Sequence, residues 1–428
     1  MTRKMLRLIL VSVLLFTFVV PVNSASQKVE EISAGEFHNI VLCDDGTIWE
    51  WGNNSSGQLA ESTDDTKYLL IHRLNMTGVK SVSAGMYHNL ALKDDGTVWA
   101  WGYNRNGQLG DGTKITRSTP VQVNISNVTA IFAGGLDSFA LKDDGTLWGW
   151  GANFYGQLGD GTNITRLSPV RIPIDNVKVV SSKGGSTIAL KDDGTVWAWG
   201  CNIFAEDQEG RYQTGCLGVN STDKFVLSPA RVGGLDNVKD VDAGGTFTIA
   251  LKNDGTVWAW GDGSQGQLGK GFKMNGPLDD PYQSTPIQVI GLSDIVDISA
   301  GDRHAMALKD DGTIWTWGYN MMGELGDGSY WNTKPSPVKV NLEDVIAISA
   351  GGMHSLALKK DGSVWAWGGN YYGEVGDGST DDVKPLPLMI IGQGAHTPST
   401  AAASPDAMGG VTGIIIIIIT SIYMLREK

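Results

Sequence analysis

The chain has 428 residues, a formal net charge of −13 and 57 glycines. An acidic chain without a basic stripe argues against nucleic acid and anionic lipid as partners, because phosphate recognition rests on clustered Lys and Arg. Its three cysteines and six histidines do not cluster with metal-ligand spacing, so neither a metal site nor another cofactor is expected.

Arg3, Lys4 and Arg7 precede an apolar run from Leu8 to Val20, and Val22-Asn23-Ser24-Ala25 offers small residues for cleavage. Residues 1–25 read as a secretory signal peptide, with an uncleaved anchor as the weaker reading. Its removal takes three of the 33 basic residues and none of the 46 acidic ones, leaving the remainder more acidic.

From Val29 onward one unit recurs. Trp-x-Trp-Gly stands at Trp49, Trp99, Trp148, Trp197, Trp258, Trp315 and Trp365, with successive copies 50, 49, 49, 61, 57 and 50 residues apart. These motifs use fourteen of the fifteen tryptophans, and a period near 50 marks a solenoid, an array or a propeller. The units run near 29–78, 79–127, 128–176, 177–237, 238–294, 295–344 and 345–392. In the second, Val79–Ser83, His88–Leu92, Thr97–Trp101 and Pro120–Val123 read as four short strands, with Asp94-Asp95-Gly96 as a hairpin turn. Alternation puts both indoles of the motif on one face of a strand. One such sheet cannot bury that face alone, whereas seven arranged radially can. The expectation is an all-β, seven-bladed β-propeller of four-stranded antiparallel blades. The first unit has no Pro-Val strand before it and the last ends at Pro385–Ile391, so the ring is expected to close by pairing the N- and C-terminal strands in a shared blade.

The unit resembles the repeat of the regulator of chromosome condensation family. The resemblance rests on Ala84-Gly85-x-x-His88, Leu92-x-x-Asp95-Gly96 and Val98-Trp99-x-Trp101-Gly102-x-Asn104-x-x-Gly107-Gln108-Leu109-Gly110, and it covers roughly Val29 to Ile391. It implies a seven-bladed propeller. The best-known member of that family is a nucleotide exchange factor for a small nuclear GTPase, acting through loops on one face and a protruding β-wedge. Those loops lie outside the repeat motif, so no exchange residue carries over. Other relatives are plain protein-binding propellers, and some secreted bacterial ones look like inhibitors of extracellular enzymes. Fold analogy alone selects none of these.

Candidate chemistry is sparse. His38, His88, His304 and His354 share one place in their units; Asp137 and Phe247 are the counterparts in units three and five, and unit four reads as one residue shorter there. A residue placed by the repeat is expected to be structural. The Asp-Asp-Gly pairs read as solvated turn formers rather than a catalytic carboxylate pair. Asp111, Asp160, Asp327 and Asp377 lack the carboxylate density of a calcium loop. Asn53, Asn54, Asn75, Asn124, Asn127, Asn163 and Asn220 head Asn-x-Ser/Thr sequons, which either carry glycans or arise by accident in Asn- and Thr-rich loops. Cys201 and Cys216 flank the insertion of unit four and are expected to form a disulfide; a ~15-residue loop closed this way gains about 3 kcal/mol in the entropy model. Cys43 is left as a packed side chain.

Where the units differ, the fold does not dictate the residue. Between Trp-Gly-x-Asn and Gly-Gln-Leu-Gly two positions vary, as Ser55-Ser56, Arg105-Asn106, Phe154-Tyr155, Ser264-Gln265, Met321-Met322 and Tyr371-Tyr372. Either packing on the next blade or partner binding would account for the large side chains. Tyr330 and Trp331 lie in the same connection of unit six. Insertions at 203–214 and about 270–283 fall in that connection of units four and five, bringing Phe204, Tyr212, Phe272 and Tyr282 to one side of the disc. An aromatic-bearing rim of this kind suits a protein interface.

Residues 393–408 form a Thr/Ser/Pro/Ala stalk and 409–428 an apolar tail ending in Arg426 and Lys428. The 17 residues from Gly409 to Leu425 span about 25 Å as a helix, marginal against ~30 Å of hydrocarbon. A membrane anchor and a cleaved sorting tail both fit. The sequence therefore points to a monomeric, non-catalytic, exported surface propeller that binds an extracellular protein or surface glycan. A secreted inhibitor or regulator of an extracellular enzyme is the alternative. A nucleotide exchange factor or a propeller-face enzyme is least expected.

Overall fold

The computed structural model describes residues 28–61, 72–206, 212–271, 281–380 and 383–392. Residues 1–25, read as a signal peptide, and residues 393–408 and 409–428, read as a stalk and an apolar tail, lie outside these residues, and so does Phe272. Among the described residues no helix is long and apolar enough to cross a membrane.

Seven four-stranded antiparallel sheets stand in a ring, each built in chain order from the axis outward. In the second blade the strands are Val79–Ala84, His88–Lys93, Val98–Gly102 and Arg117–Gln122. The Asp-Gly turn forms because Asp95 Oδ1 accepts from Thr97 N at 3.0 Å and Thr97 Oγ1 at 2.6 Å, while Gly96 supplies φ +76°. The fourth strands are the exposed outer edges. Proline recurs there, at Pro120, Pro169, Pro229, Pro286, Pro335 and Pro385, where a missing N–H blunts pairing with another chain.

The core is divided into clusters that each bridge two blades. Ile40, Leu42 and Ile48 of the first blade enclose Trp101 of the second together with Val79, Val82 and Ala91. The second indole of each motif is fully buried, which contributes roughly 4–6 kcal/mol apiece as an upper bound at about 25 cal/mol per Å². The first indole, expected on the same buried face, is only half-buried; Lys93 Nζ lies 5.1 Å from the centre of the Trp99 ring and covers its outer side.

Polar staples join blade to blade. Trp150 Nε1 donates to the Gln108 carbonyl at 2.9 Å, and Trp199 repeats this on Gln157 at 2.8 Å. Nearer the axis, the amide of Ala84 donates to Ser33 Oγ at 3.0 Å, and Ala133 does the same to Ser83. Phe132 stands where the next serine would be, so that rung is missing between blades three and four. Among the described residues Trp260 Nε1 lacks a partner, at the junction where Cys216 replaces the glutamine.

Among the described residues the expected strand shared between the termini is not present. Val29–Ala34 pairs with His38–Cys43, and Val383–Ile391 pairs with Val364–Gly369, so each end completes its own blade. First and seventh blades meet through side chains instead. Trp51 Nε1 and Asn39 Nδ2 both donate to the Glu374 carbonyl, at 2.8 and 2.7 Å, and Val29, Ile32 and Trp51 pack with Leu356, Val364 and Ile390.

Candidate functional site

Strand pairing fixes two faces. His88 opens the second strand of its blade opposite Gly102, which closes the third. The Gly85-Met86-Tyr87 connection and the loop from Tyr103 onward therefore emerge at the same end of the sheet. The Asp-Gly turns and the connections between blades occupy the other end.

The long loops are held from within. Asn104 Oδ1 accepts from Leu109 N at 3.0 Å, while its amide donates to Asp111 Oδ1 and the Ile115 carbonyl, each at 3.0 Å. Asn153, Asn320 and Asn370 repeat the Oδ1 contact. Burial pushes the Asp111 carboxyl up, but Thr113 and Arg117 outweigh it and hold it below the usual range. Asp160, Asp327 and Asp377 likewise face Arg166, Lys334 and Lys384. These carboxylates thus already carry a cation from their own loop.

Such rigid loops present aromatic rings outward. Phe154, Tyr155, Tyr330, Trp331, Tyr371 and Tyr372 are all exposed, Trp331 the most at 68%. Trp331 also holds φ +59°, a left-handed conformation that disfavours a bulky residue. Three further rings escape sequence inspection. Phe37 stacks on Tyr87 at 5.3 Å and meets Tyr372 edge-on at 5.7 Å, and Tyr87 lies 6.1 Å from Tyr103. Beyond Tyr372, the Tyr371 hydroxyl reaches Met322 Sδ at 3.3 Å, and Met322 and Met353 both flank Gly369. One aromatic and thioether arc therefore crosses blades two, one, seven and six. A second group, Phe154 and Tyr155 with Phe225 at 5.4 Å from Tyr155, lies on blades three and four. Phe37 and Tyr87 occupy the free positions of Ala-Gly-x-x-His, where other units carry Leu136, Gly185, Thr246, Arg303 and Met353; comparing those positions would have found them.

The insertion of unit four forms a hairpin of Ile203–Glu206 and Tyr212–Thr214, carrying Phe204 and Tyr212. Tyr282 does not belong to a rim loop. It opens the fourth strand of blade five and pairs with Asp262.

Toward the axis, unit four is not shorter. Ser186 pairs with Gly200 as His88 pairs with Gly102, so Ser186 is the histidine counterpart and Lys183 stands where six units have glycine. Lys183 Nζ reaches across the axis to Asp302 Oδ1 at 3.6 Å and the Gly351 carbonyl at 3.5 Å. Burial and a hydrogen bond with Asp302 push Glu36 up to about 8, partly offset by Lys183. A cavity of about 220 Å³ lies on the axis, lined mainly by small residues such as Ser33, Ser83, Gly134, Ser299 and Ser349. The four repeated histidines are buried, with Nε2 of His38 and His354 2.7 Å from Asn89 and Asn39. Burial lowers His38 to about 4 and His88, His304 and His354 to about 3, leaving neutral rings that link blades. Among the described residues no three His, Cys, Asp or Glu side chains converge as metal ligands.

The expected Cys201–Cys216 disulfide is absent, and two of the sequons left open are buried. Cys201 and Cys216 are free thiols. Cys216 is turned into the cluster of Leu217, Val232 and Trp260, and its Sγ donates to the Cys201 carbonyl at 3.3 Å rather than bonding its sulfur. Cys43 is buried. Asn53 and Asn54 are buried inside their loop, Asn54 accepting from Leu59 N at 3.0 Å, so they are not accessible acceptors. Asn75, Asn124, Asn127, Asn163 and Asn220 are exposed.

Comparison with known proteins agrees with this architecture. The RCC1-like domain model matches residues 14–206, and models of the regulator of chromosome condensation (RCC1) repeat match 254–308 and 311–358, and 238–267, 295–324 and 345–374. The E3 ubiquitin-protein ligase HERC2 of Mus musculus is 36% identical over 138 residues, 31% of this chain and 3% of the ligase. The ultraviolet-B receptor UVR8 of Arabidopsis thaliana is 34% identical over 132 residues, 31% of this chain and 28% of the receptor. The matches thus span less than a third of these relatives. Prp20p of Saccharomyces cerevisiae, studied for binding to Gsp1p and histones, superposes with a TM-score of 0.69 at 24% identity, over 85% of this chain and 87% of that one. Human WBSCR16 gives 0.66 at 23% identity, over 78% and 88%. These likenesses show the fold. With Trp-x-Trp-Gly in every blade and repeat models matching along it, the chain belongs to the regulator of chromosome condensation (RCC1) repeat family.

Proposed function

We propose that this protein is an exported, surface-held, non-catalytic propeller that binds a protein through its loop face. The arc from Tyr103 to Met322 carries this reading. Tyr371, Tyr372 and Met353 are exposed and Phe37, Tyr87 and Tyr103 half-buried; apolar surface left in water costs solvation free energy unless a partner covers it, and contiguous apolar patches on a monomer mark interaction sites. The yeast RCC1 structure with Kap60 bound supports protein binding as a use of this fold. Export rests on residues 1–25, and surface retention on residues 409–428. A surface glycan, and inhibition of an extracellular enzyme, are the competing uses of the same face.

Cross-linking on intact cells tests this, using the full chain beside a Phe37→Ser/Tyr372→Ser variant and an Asp236→Ser control on the opposite face. Loss of a cross-linked protein in the double variant alone is expected. Capture unchanged by the double variant refutes the loop face as the binding side. Resistance of the propeller to protease added outside unbroken cells, with cleavage after lysis, refutes export.

A further inference from the structure

Of the seven arginines in the described residues, five face carboxylates: Arg73, Arg117, Arg166, Arg171 and Arg231. Arg105 and Arg303 have no carboxylate partner among the described residues, and both are exposed. They stand at the two ends of the aromatic arc. Arg105 follows Tyr103 by two residues on blade two. Arg303, on blade six, accepts from Tyr319 N at 2.9 Å through its carbonyl; burial and then Glu324 push the Tyr319 hydroxyl up, Arg303 offsets part of this, and Tyr371 adds to it.

We infer that the arc binds an extended polypeptide segment with apolar or aromatic side chains in its middle and carboxylates at both ends. This inference rests on the loop face being the binding side. Three features of the arc support that occupant. Its ring-to-ring steps of 6.1, 5.3 and 5.7 Å approach the ~6.6 Å between alternate side chains of an extended chain, which point to one side. Met322 and Met353 continue the surface with deformable thioethers suited to apolar peptide side chains. The two arginines offer planar, bidentate recognition of carboxylates. Burial and the hydrogen bond with Asp302 push Glu36, at the inner edge of the arc, up to about 8, which reduces the charge it opposes to a carboxylate at neutral pH. The chain as a whole is acidic, with a net charge of −13. A carboxylate-ended segment is disfavoured away from the two arginines, which sets its register.

The test uses labelled peptides of about twelve residues sharing a Leu/Tyr/Phe core (alternating residues apolar) and ending in Glu-Glu or Lys-Lys, titrated against the full chain, beside a uronate oligosaccharide. The glutamate-ended peptide is expected to bind at least about tenfold more tightly than the lysine-ended one. Arg105→Glu with Arg303→Glu should reverse that order, Arg105→Lys with Arg303→Lys should keep its direction, and Phe37→Ser with Tyr372→Ser should weaken both peptides. Arg105, Arg303 and Tyr372 are exposed and Phe37 is half-buried on the loop face, and unchanged circular dichroism verifies folding of each variant. Equal affinity for the two peptides, binding of neither, or preference for the oligosaccharide overturns the inference. A cellular partner lost with Phe37→Ser/Tyr372→Ser but retained by Arg105→Glu/Arg303→Glu overturns it while leaving the loop-face function standing.

Discussion

Glu324 and Glu374 occupy the place that Gln58, Gln108, Gln157 and Gln267 hold in other blades. Each Glu Oε2 accepts the amide two residues before it, from Met322 at 2.9 Å and Tyr372 at 2.8 Å, as Gln58 Oε1 accepts from Ser56 at 2.8 Å. Both are nearly inaccessible, at 1% and 5% exposure, and Glu324 Oε1 has no partner among the described residues. Burial pushes both carboxyls up to about 7, more than the backbone N–H bonds pull them down. A carboxyl raised in the folded state gives stability that is full below its unfolded pKa near 4.5 and lost as pH rises through about 7. At ~1.36 kcal/mol per unit, the loss is on the order of 3 kcal/mol per site above pH 8. Glu324→Gln keeps the shape and the accepted hydrogen bond but cannot ionise. Its advantage over the parent should therefore be near zero at pH 4.5 and roughly 3 kcal/mol at pH 8.5. The buried histidines act oppositely, costing stability as pH falls below about 6.5, but they are common to both proteins and cancel in the difference. Urea denaturation followed by tryptophan fluorescence at the two pH values measures it, and a shift in midpoint without a change in slope marks a pure stability effect. An offset that does not change with pH, or a variant less stable at pH 8.5, refutes the reasoning.

Gly85→Ala should destabilise by at least 1–3 kcal/mol, the range for overpacking, because the added Cβ falls 2.5 Å from the Gly134 carbonyl oxygen and closer still to His88 Cε1; thermal unfolding reads it. Denatured under non-reducing conditions, the protein should titrate three thiols, since Cys43, Cys201 and Cys216 are all free; a single reactive thiol would restore the Cys201–Cys216 bond. If the cell glycosylates this chain, mass spectrometry should find sugar only at exposed sequons such as Asn124 and Asn163, and never at buried Asn53 or Asn54.

What the sequence made legible was local and repeated. Trp99 and Trp101, the Asp95-Gly96 turn and Pro120 each state their strand or turn within a few residues, and seven copies remove chance. The arc was not legible because its contacts join residues far apart in the chain: Phe37 meets Tyr372 only once the first and seventh blades are neighbours. Ring geometry also decided the ends, where complete local blades packed side by side proved compatible with the same repeat. Lys183 was hidden by taking unit four as shortened, and strand register places it at the glycine position. For the cysteines, spacing around an insertion indicated proximity but not direction; Cys216 turns inward to the core. The exposed rings of the long loops were legible, since Tyr371, Tyr372, Phe154 and Tyr155 differ visibly from Ser55 and Ser56 at the same positions.

The most direct measurement places a photo-cross-linking residue at Tyr372 on the loop face, and separately at Asp236 on the opposite face, of the full chain in its own cells. The binding account predicts a discrete protein adduct from Tyr372 and none from Asp236. Adducts from Asp236 alone, or none from either position with the protein correctly folded, would contradict it.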